Sequence, residues 1–441
     1  MELVKEKQTN NIYPAYKYSG VEWLGDVPDH WEMKKIKRIF VEKKYSTNVE
    51  LNCGSISFGK VVLKDDEKIP LSTKKSYQVL SKGEYLVNPL NLNYDLISLR
   101  IALSELNVVV SSGYIILKNR IEINKTYFKW LLHRFDVAYM KLLGSGVRQT
   151  LNYNDIGECD LVFPPLSEQE AIASFLDRKT ALIEQAINIK EKQIELLKER
   201  RQILIHKAVT RGLNPKVKIK DSGVEWIGEV PEHWETRRLK NFIADLESGV
   251  SVNASESESA VNEEIGVLKT SCVYNYVFES NQNKKVFSSD LKRVSCPVRK
   301  NSIIISRMNA PELVGASGYV ENNYPNLFLP DRLWQTVFNN NIPLNPVWLS
   351  QVLITKGFRN RVTAIANGSS PSMKNISKGE YLNLRIPHPP IDEQNGIVKL
   401  IEELSTKIQA AVCLKESEIE KLKEYKATLI NSVVTGKIKI L

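Results

Sequence analysis

The pattern of apolar and polar positions changes character four times along the chain. From Glu32 to about Phe163, short apolar runs alternate with turn residues: Ile56-Ser-Phe58, Lys60-Val-Val-Leu63, Tyr85-Leu-Val87, Val108-Val-Val110 and Tyr114-Ile-Ile-Leu117. Val, Ile and Tyr dominate the runs while Asn, Gly and Ser separate them, which predicts a β-rich block. Within it, Phe128, Leu131, Leu132, Phe135 and Tyr139 share one face of a helix expected over Thr126–Leu143. At Pro164-Pro165 the period changes. Ser167 reads as an N-cap, with Glu170 completing a capping box. No Gly or Pro then follows until Arg211-Gly212, a helix stop signal. Along this span Leu176, Thr180, Ile183, Ile187, Lys190, Ile194, Leu197, Arg201, Leu204 and Ala208 keep the alternating spacing of a coiled-coil seam, and seven of the ten are apolar. A second β-rich block follows over 235–388, with runs at Ile265–Leu268, Tyr274–Phe278, Ile303–Ile305 and Trp334–Phe338, and a helix expected over Leu344–Phe358. A last helical stretch closes the chain.

That last stretch repeats the first long helix. Adding 225 to each seam position gives Ile401, Ser405, Ile408, Val412, Lys415, Ile419, Leu422, Lys426, Leu429 and Val433, with the same seven apolar and the same three polar. The two helices are expected to pair with each other; the alternative is that each packs on its own domain. The segment SGVEWLGDVPDHW (Ser19–Trp31) likewise returns as SGVEWIGEVPEHW (Ser222–Trp234), ten of thirteen residues identical, and Pro164-Pro-Leu-Ser-Glu-Gln169 returns as Pro389-Pro-Ile-Asp-Glu-Gln394. The first pair is offset by 203 and the second by 225, so the second block is 22 residues longer. A long period means a duplicated half rather than a solenoid unit, and a repeated frame around diverged blocks suggests one scaffold presenting two different readers. The frame segment, anchored by Val21, Trp23 and Trp31, reads as packed irregular structure. Residues 1–18, with Tyr13, Tyr16 and Tyr18, read as a surface arm, and Leu213–Lys220 as a short basic linker.

Composition narrows the class. Length 441 suggests about three domains. No apolar run approaches the roughly 18 residues of a membrane span, and the opening MELVKEKQTNN lacks the apolar core of a secretory leader. Five scattered cysteines without CxxC fit a reducing cytoplasm rather than a disulfide framework or zinc site. A net charge of +10 favours polyanion partners, nucleic acid first. Basic clusters follow each frame segment: Lys34, Lys35, Lys37 and Arg38, then Arg237, Arg238 and Lys240. They suit phosphate contacts, the alternative being a solvated face. Arg, Asn and Gln in polar loops offer bidentate readout of base edges; the candidates are Asn88, Asn91, Asn93, Arg100, Arg148 and Gln149 in the first block, and Arg307, Asn309, Arg332, Gln335, Arg359 and Arg361 in the second. Catalysis finds no foothold. None of His30, His133, His206, His233 and His388 has metal-ligand spacing, and no phosphate loop occurs. Pro28–Lys34 has a nuclease-like look, but its copy Pro231–Arg237 loses the lysine. A stand-alone nuclease or methyltransferase would need a cofactor loop or carboxylate cluster, and a purely structural coiled-coil spacer would have no salt-dependent DNA affinity.

The frame SGVEWLGDVPDHWE, the run PPLSEQEAIASFLDRKTALI and the helix end VTRGLNP resemble the specificity subunits of type I restriction–modification systems, over nearly the whole chain and in both halves. Gly83–Asn93 with Ser111–Tyr114 is similar to one recurrent class of that family's target-recognition domains. Gly144–Gln149 and Asn367–Pro371 resemble the loop closing each such domain, although the second lacks the usual Arg/Gln. The resemblance implies an α+β fold: two β-rich target-recognition domains separated by two long antiparallel helices, with pseudo-twofold internal duplication. The corresponding divisions are 1–163, 164–212, 213–388 and 389–441. It further implies a non-catalytic cytoplasmic subunit that reads a bipartite asymmetric site in double-stranded DNA. Two adenine-N6 modification subunits would dock on the helices, with restriction subunits added. S-adenosylmethionine, ATP and Mg would belong to those partners, and no cofactor or metal to this chain. The helix-pair seam would be formed by Leu176, Ile183, Ile187, Ile194, Leu197 and Leu204 against Ile401, Ile408, Val412, Ile419, Leu422 and Leu429.

Overall fold

The computed structural model describes residues 12–90, 99–140, 143, 150–370 and 372–440. They form two compact units, Met1–Lys190 with Glu416–Leu441, and Glu191–Lys415. The expected α+β class is what is found. The first long helix runs Leu166–Arg211 and the second Ile391–Val434, so each supplies residues to both units.

In the first unit a four-stranded antiparallel sheet has the order Phe40–Glu42, Ile115–Asn119, Tyr85–Val87, Ile101–Leu103. Helix Lys125–Ala138 buries Tyr127, Phe128, Leu131, Leu132 and Phe135 in the main core of this unit. The same core takes Leu176 and Ile183 from the first long helix and Leu429 and Val433 from the second. Two-stranded ribbons surround it, among them Glu32–Lys35 with Asp160–Phe163, which brings the start and end of the block together. The amino-terminal stretch is described from Ile12 onward. Tyr16–Tyr18 pairs with Asp26–Pro28 as a hairpin, and Tyr13 is buried against Trp31 because its ring is apolar and its hydroxyl finds a carboxylate there.

The second unit repeats this sheet in sequence-unrelated strands: Ile243–Glu247, Leu333–Phe338, Ile303–Ser306, Ser317–Tyr319. In both units the block's outer strand pairs with a late strand, which then pairs back to a middle hairpin. A second four-stranded sheet, with Gly266–Leu268 parallel to Tyr324–Phe328 at its centre, accompanies the greater length of this block. Two sequence expectations are corrected here. Tyr274–Phe278 is not a strand: Thr270–Val273 is a 3-10 turn and Tyr276 sits at φ 59°, in the left-handed region. The expected single helix over Leu344–Phe358 is two, Pro346–Leu353 and Lys356–Ile365. The break is at Thr355, whose Oγ1 donates to the Val352 carbonyl at 2.7 Å while its backbone turns extended to start the second helix.

The long helices pair with each other, antiparallel, in both units. Lys190 meets Glu418 at 2.6 Å and Glu184 meets Lys426 at 2.7 Å in the first; Arg201 Nε donates to Ser405 Oγ at 3.1 Å in the second. Numbering rises along one helix as it falls along the other. Leu176, Ile183, Ile401, Val412, Ile419 and Leu429 are buried on the seam, and Ile187, Ile194, Leu197, Leu204, Ile408 and Leu422 half-buried. The polar seam positions are met rather than left in apolar surroundings: three ion-pair or hydroxyl contacts as above, and Thr180 Oγ1 bonded back to Leu176 O.

Candidate nucleic-acid interface

Each block is fixed to a long helix by the same clamp, built from the two repeated motifs. The helix begins at Leu166, with the Glu168 and Gln169 amides donating to Pro165 O, both at 3.0 Å. Ser167 therefore lies inside the first turn and is not the cap expected for it. Glu168 then receives Tyr13 Oη at 2.7 Å and Trp31 Nε1 at 3.1 Å, with His30 Nε2 2.6 Å from its other oxygen. Burial pushes the Glu168 carboxyl up, but the hydrogen bonds from Tyr13, His30 and Trp31 outweigh it and hold the group below its ordinary value. Burial first, then Glu168, pushes the Tyr13 hydroxyl far up. Gln169 is wholly buried. Its Nε2 donates to Pro164 O at 2.8 Å and its Oε1 accepts from Asn124 N at 2.9 Å, where Asn124 is the N-cap of Lys125–Ala138.

The second unit copies this geometry. Glu393 takes Trp234 Nε1 at 3.0 Å and lies 2.6 Å from His233 Nε2. Gln394 donates to Pro389 O at 2.9 Å and accepts from Asn345 N at 2.8 Å, Asn345 being the N-cap of Pro346–Leu353. Each frame tryptophan also meets the end of a long helix: a Cβ on Gly436 would lie 2.9 Å from Trp31 and 2.3 Å from Pro28, and one on Gly212 would lie 3.0 Å from Trp234. Both glycines sit at positive φ, so a side chain there would be strained and crowded. The frame histidines thus belong to the clamp.

The DNA-contact candidates sort by burial and by their partners. In the first unit Lys34 pairs with Glu32 at 2.8 Å and lies over the Phe163 ring. Lys35 and Lys37 both reach Glu158, and their hydrogen bonds hold its carboxyl down at about 2. This basic cluster is therefore partly neutralised; Arg38 is exposed and carries no ion pair among the described residues. Asn88 uses its side-chain oxygen to close a turn onto Leu90 N. Asn91, Asn93, Arg148, Gln149 and the loop Gly144–Gln149 lie outside the described residues, as does Pro371 of the second loop. In the second unit Arg237 pairs with Glu235 at 2.7 Å, and Arg238 is exposed.

Two candidates are corrected. Arg100 is interior, its Nε 3.0 Å from the fully buried Asp136, so it serves as a structural counter-charge rather than a reader of bases. Gln335 has no exposed surface: its oxygen accepts from Arg299 N and Ser302 Oγ, and its amide donates to Pro297 O. By contrast Arg307, Asn309 and Arg332 come together where two strands end, with Arg307 N bonded to Arg332 O at 3.0 Å. The Arg307 guanidinium lies over the Trp334 ring at 5.7 Å, and its Nε is buried with no hydrogen-bond partner among the described residues. Asn309 is held by Tyr274 Oη at 2.9 Å. Arg361 is exposed on helix Lys356–Ile365, whereas Arg359 of the same helix is buried. Among the described residues no three His, Cys, Asp or Glu side chains gather as a metal site, and no helix is long and apolar enough to cross a membrane.

The family described as type I restriction modification DNA specificity domain matches residues 28–198. The putative type I restriction enzyme MjaX specificity subunit of Methanocaldococcus jannaschii is 24% identical over 95% of this chain and 96% of its own. The MjaVIII specificity subunit of the same organism is 27% identical over 63% of this chain, which spans only 61% of that relative. Among solved structures, a chain from a type I restriction–modification assembly study aligns over 92% of this chain and 98% of its own with TM-score 0.66 at 14% identity. The HsdS subunit of Thermoanaerobacter tengcongensis aligns over 93% and 98% with TM-score 0.50 at 15% identity. These structural likenesses carry the fold, and the family match over 28–198 together with the full-length MjaX alignment makes this chain similar to the DNA-specificity subunits of type I restriction–modification systems.

Proposed function

We propose that this chain reads a bipartite, asymmetric site in double-stranded DNA, one half-site per β-rich block, and docks two modification subunits and the restriction subunits that act there. It is a non-catalytic recognition component, so methylation and cleavage belong to those partners. The observation that carries the reading is the duplicated clamp. Two different β-rich blocks are each locked by Trp, Glu and Gln to one of two paired helices. Such a frame holds two surfaces while leaving each block's outer loops to diverge. Phosphate contacts come from Arg38 and Arg238, which are exposed in the two basic clusters. Base readout in the second block comes from Arg307, Asn309 and Arg332, with the exposed Arg361 as a further phosphate or base contact. The helix pair sets the distance between half-sites. The test is to replace 235–388 with the corresponding block of a relative and map the modified site: one half-site changes and the other stays. A change in both halves would defeat the modular reading.

A further inference from the structure

The hairpin Gly54–Leu63 turns through two residues, Phe58 and Gly59, between the paired Ser57 and Lys60. Both lie at positive φ, 45° and 71°, as a two-residue hairpin turn requires. Asn, Asp or Gly normally fill the first place, because a bulky side chain is strained in the left-handed region. Phe58 takes on that strain and gains no burial in return, since it is 76% exposed. The turn itself is firmly seated. A Cβ on Gly59 would lie 2.8 Å from Leu99 and 3.1 Å from His133 Nε2, and strand Lys60–Leu63 lies beside Ile101–Leu103, the edge of the four-stranded sheet. Leu99 directly follows 91–98 in the sequence, which holds the candidates Asn91 and Asn93. A strained, exposed side chain on a fixed base is shaped for a ligand rather than for the core.

The second block carries a similar turn in the corresponding place. There Tyr276 lies at φ 59°, and the backbone at Phe278 closes on the edge strand Ser317–Tyr319, since a Cβ on Gly318 would fall 2.6 Å from Phe278 N. In the same segment Tyr274 Oη accepts from Asn309 Nδ2 at 2.9 Å, which ties the turn to the cluster of Arg307, Asn309 and Arg332. The turn over the edge strand thus adjoins the base-reading candidates in that block. The two tips differ in one respect. Tyr276 is half-buried with the Arg359 guanidinium 5.8 Å from its ring, whereas Phe58 has no ring or cation partner among the described residues. Residues 54–64 include Lys60 and Lys64 and no acidic residue, which suits a polyanion. Lys426 holds the Glu184 carboxyl of the first long helix low, with the charge of Lys60 adding to the effect, so the tip also lies near the helix pair and a protein partner is the occupant to exclude. We propose that Phe58 inserts between adjacent base pairs of the first half-site as an apolar wedge, with Lys60 on a neighbouring phosphate, and that the second half-site is read without such a wedge. This rests on the reading of one half-site by the first block and adds how that half-site is deformed.

The test uses the full-length chain in complex with its modification subunit, on duplexes of the methylated motif mapped by sequencing. Fluorescent analogues that brighten when unstacked, 2-aminopurine for adenine and pyrrolocytosine for cytosine, replace one base at a time in both half-sites, the methylated adenines excepted. The first half-site is the one that survives replacement of 235–388. The variants are Phe58→Asn, which suits the left-handed turn and melts no lower than the parent, Phe58→Leu, which keeps an apolar wedge, and the exposed Leu63→Gln as a control on the same hairpin. The parent brightens one step of the first half-site and none of the second. Phe58→Asn loses that signal and weakens binding of the motif by about tenfold or more, the scale of a lost base–aromatic stack. Phe58→Leu keeps the signal, and Leu63→Gln stays within about twofold of the parent. Affinity for the modification subunit is unchanged in all three. No brightened step in the parent's first half-site, or signal and affinity left intact by Phe58→Asn, overturns the wedge while the half-site reading stands. Loss of subunit binding in Phe58→Asn without loss of the fluorescence signal assigns the tip to a protein partner and overturns it as well. If the parent complex does not prefer the motif to a random-sequence duplex, the half-site reading falls and the wedge with it.

Discussion

Replacing Gln394 by Met keeps the shape of the side chain and removes both of its hydrogen bonds. Gln394 is fully buried and joins Pro389 O to Asn345 N at 2.9 and 2.8 Å. Met fills similar volume, so the cavity contribution is small. What remains is the cost of two stranded backbone groups, about 1–3 kcal/mol each. Asn345 is half-buried, so water recovers part of its share, and a total of about 2–4 kcal/mol is expected. The loss is local, because Asn345 caps helix Pro346–Leu353. Hydrogen exchange read by mass spectrometry measures such local opening directly. Amides of 347–353 should exchange roughly 30- to 700-fold faster, at about 1.4 kcal/mol per tenfold. Amides of 125–138 in the first unit should keep their rates. Gln169→Met should do the converse, since Gln169 holds Asn124 with the same geometry. Equal protection in parent and variant, or equal loosening of both helices by either substitution, would refute the clamp.

Other consequences follow from the same geometry. Glu168 has a lowered folded-state pKa, so its share of stability is present above the ordinary carboxylate range and lost as pH falls through the folded value. Melting of the parent followed from pH 7 down toward pH 3 should therefore show a loss that Glu168→Gln flattens, while that variant is the less stable at pH 7; parallel curves would contradict this. Arg100→Met removes one buried charge partner of Asp136 and should destabilise the protein by up to about 3–5 kcal/mol in chemical denaturation, with Arg100→Met/Asp136→Leu recovering much of it. Arg307→Ala should weaken recognition of the second half-site by roughly 1–3 kcal/mol, and unchanged affinity with unchanged base preference would remove Arg307 from the interface. Deleting Ile187–Gln193 together with Val412–Glu418 keeps the seam in phase and shortens each helix by about 10 Å, or about three base pairs. The preferred spacing between half-sites should shorten accordingly, and a spacing that stays at the parent value would show that the helices are not the ruler.

The parts of this fold legible in the sequence are those written locally or twice. Heptad spacing gave away the seam from Leu176 to Ala208, and the matching polar breaks at Lys190 and Lys415 pointed to its partner. The purpose of the repeated Glu and Gln was hidden because their partners are remote: Trp31 is 137 residues from Glu168, and Asn124 is 45 from Gln169. Locally, Ser167 looked the better helix start. Burial of Arg100 and Gln335 depends on Asp136 and Arg299, 36 residues away in each case, so both read as polar loop residues. The common strand order of the two blocks left no trace in the residues. Strand pairing uses backbone groups that every residue carries, and apolar positions on the buried faces are interchangeable.

The central claim is that two readers on one frame specify a single bipartite DNA site. Methylation-aware sequencing of a host carrying this chain with its modification subunit tests it most directly. The account predicts N6-methyladenine confined to one asymmetric motif, two specified half-sites separated by a fixed run of unspecified bases, and none in a host lacking this chain. Methylation at a single uninterrupted motif, or the same methylation without this chain, would contradict it.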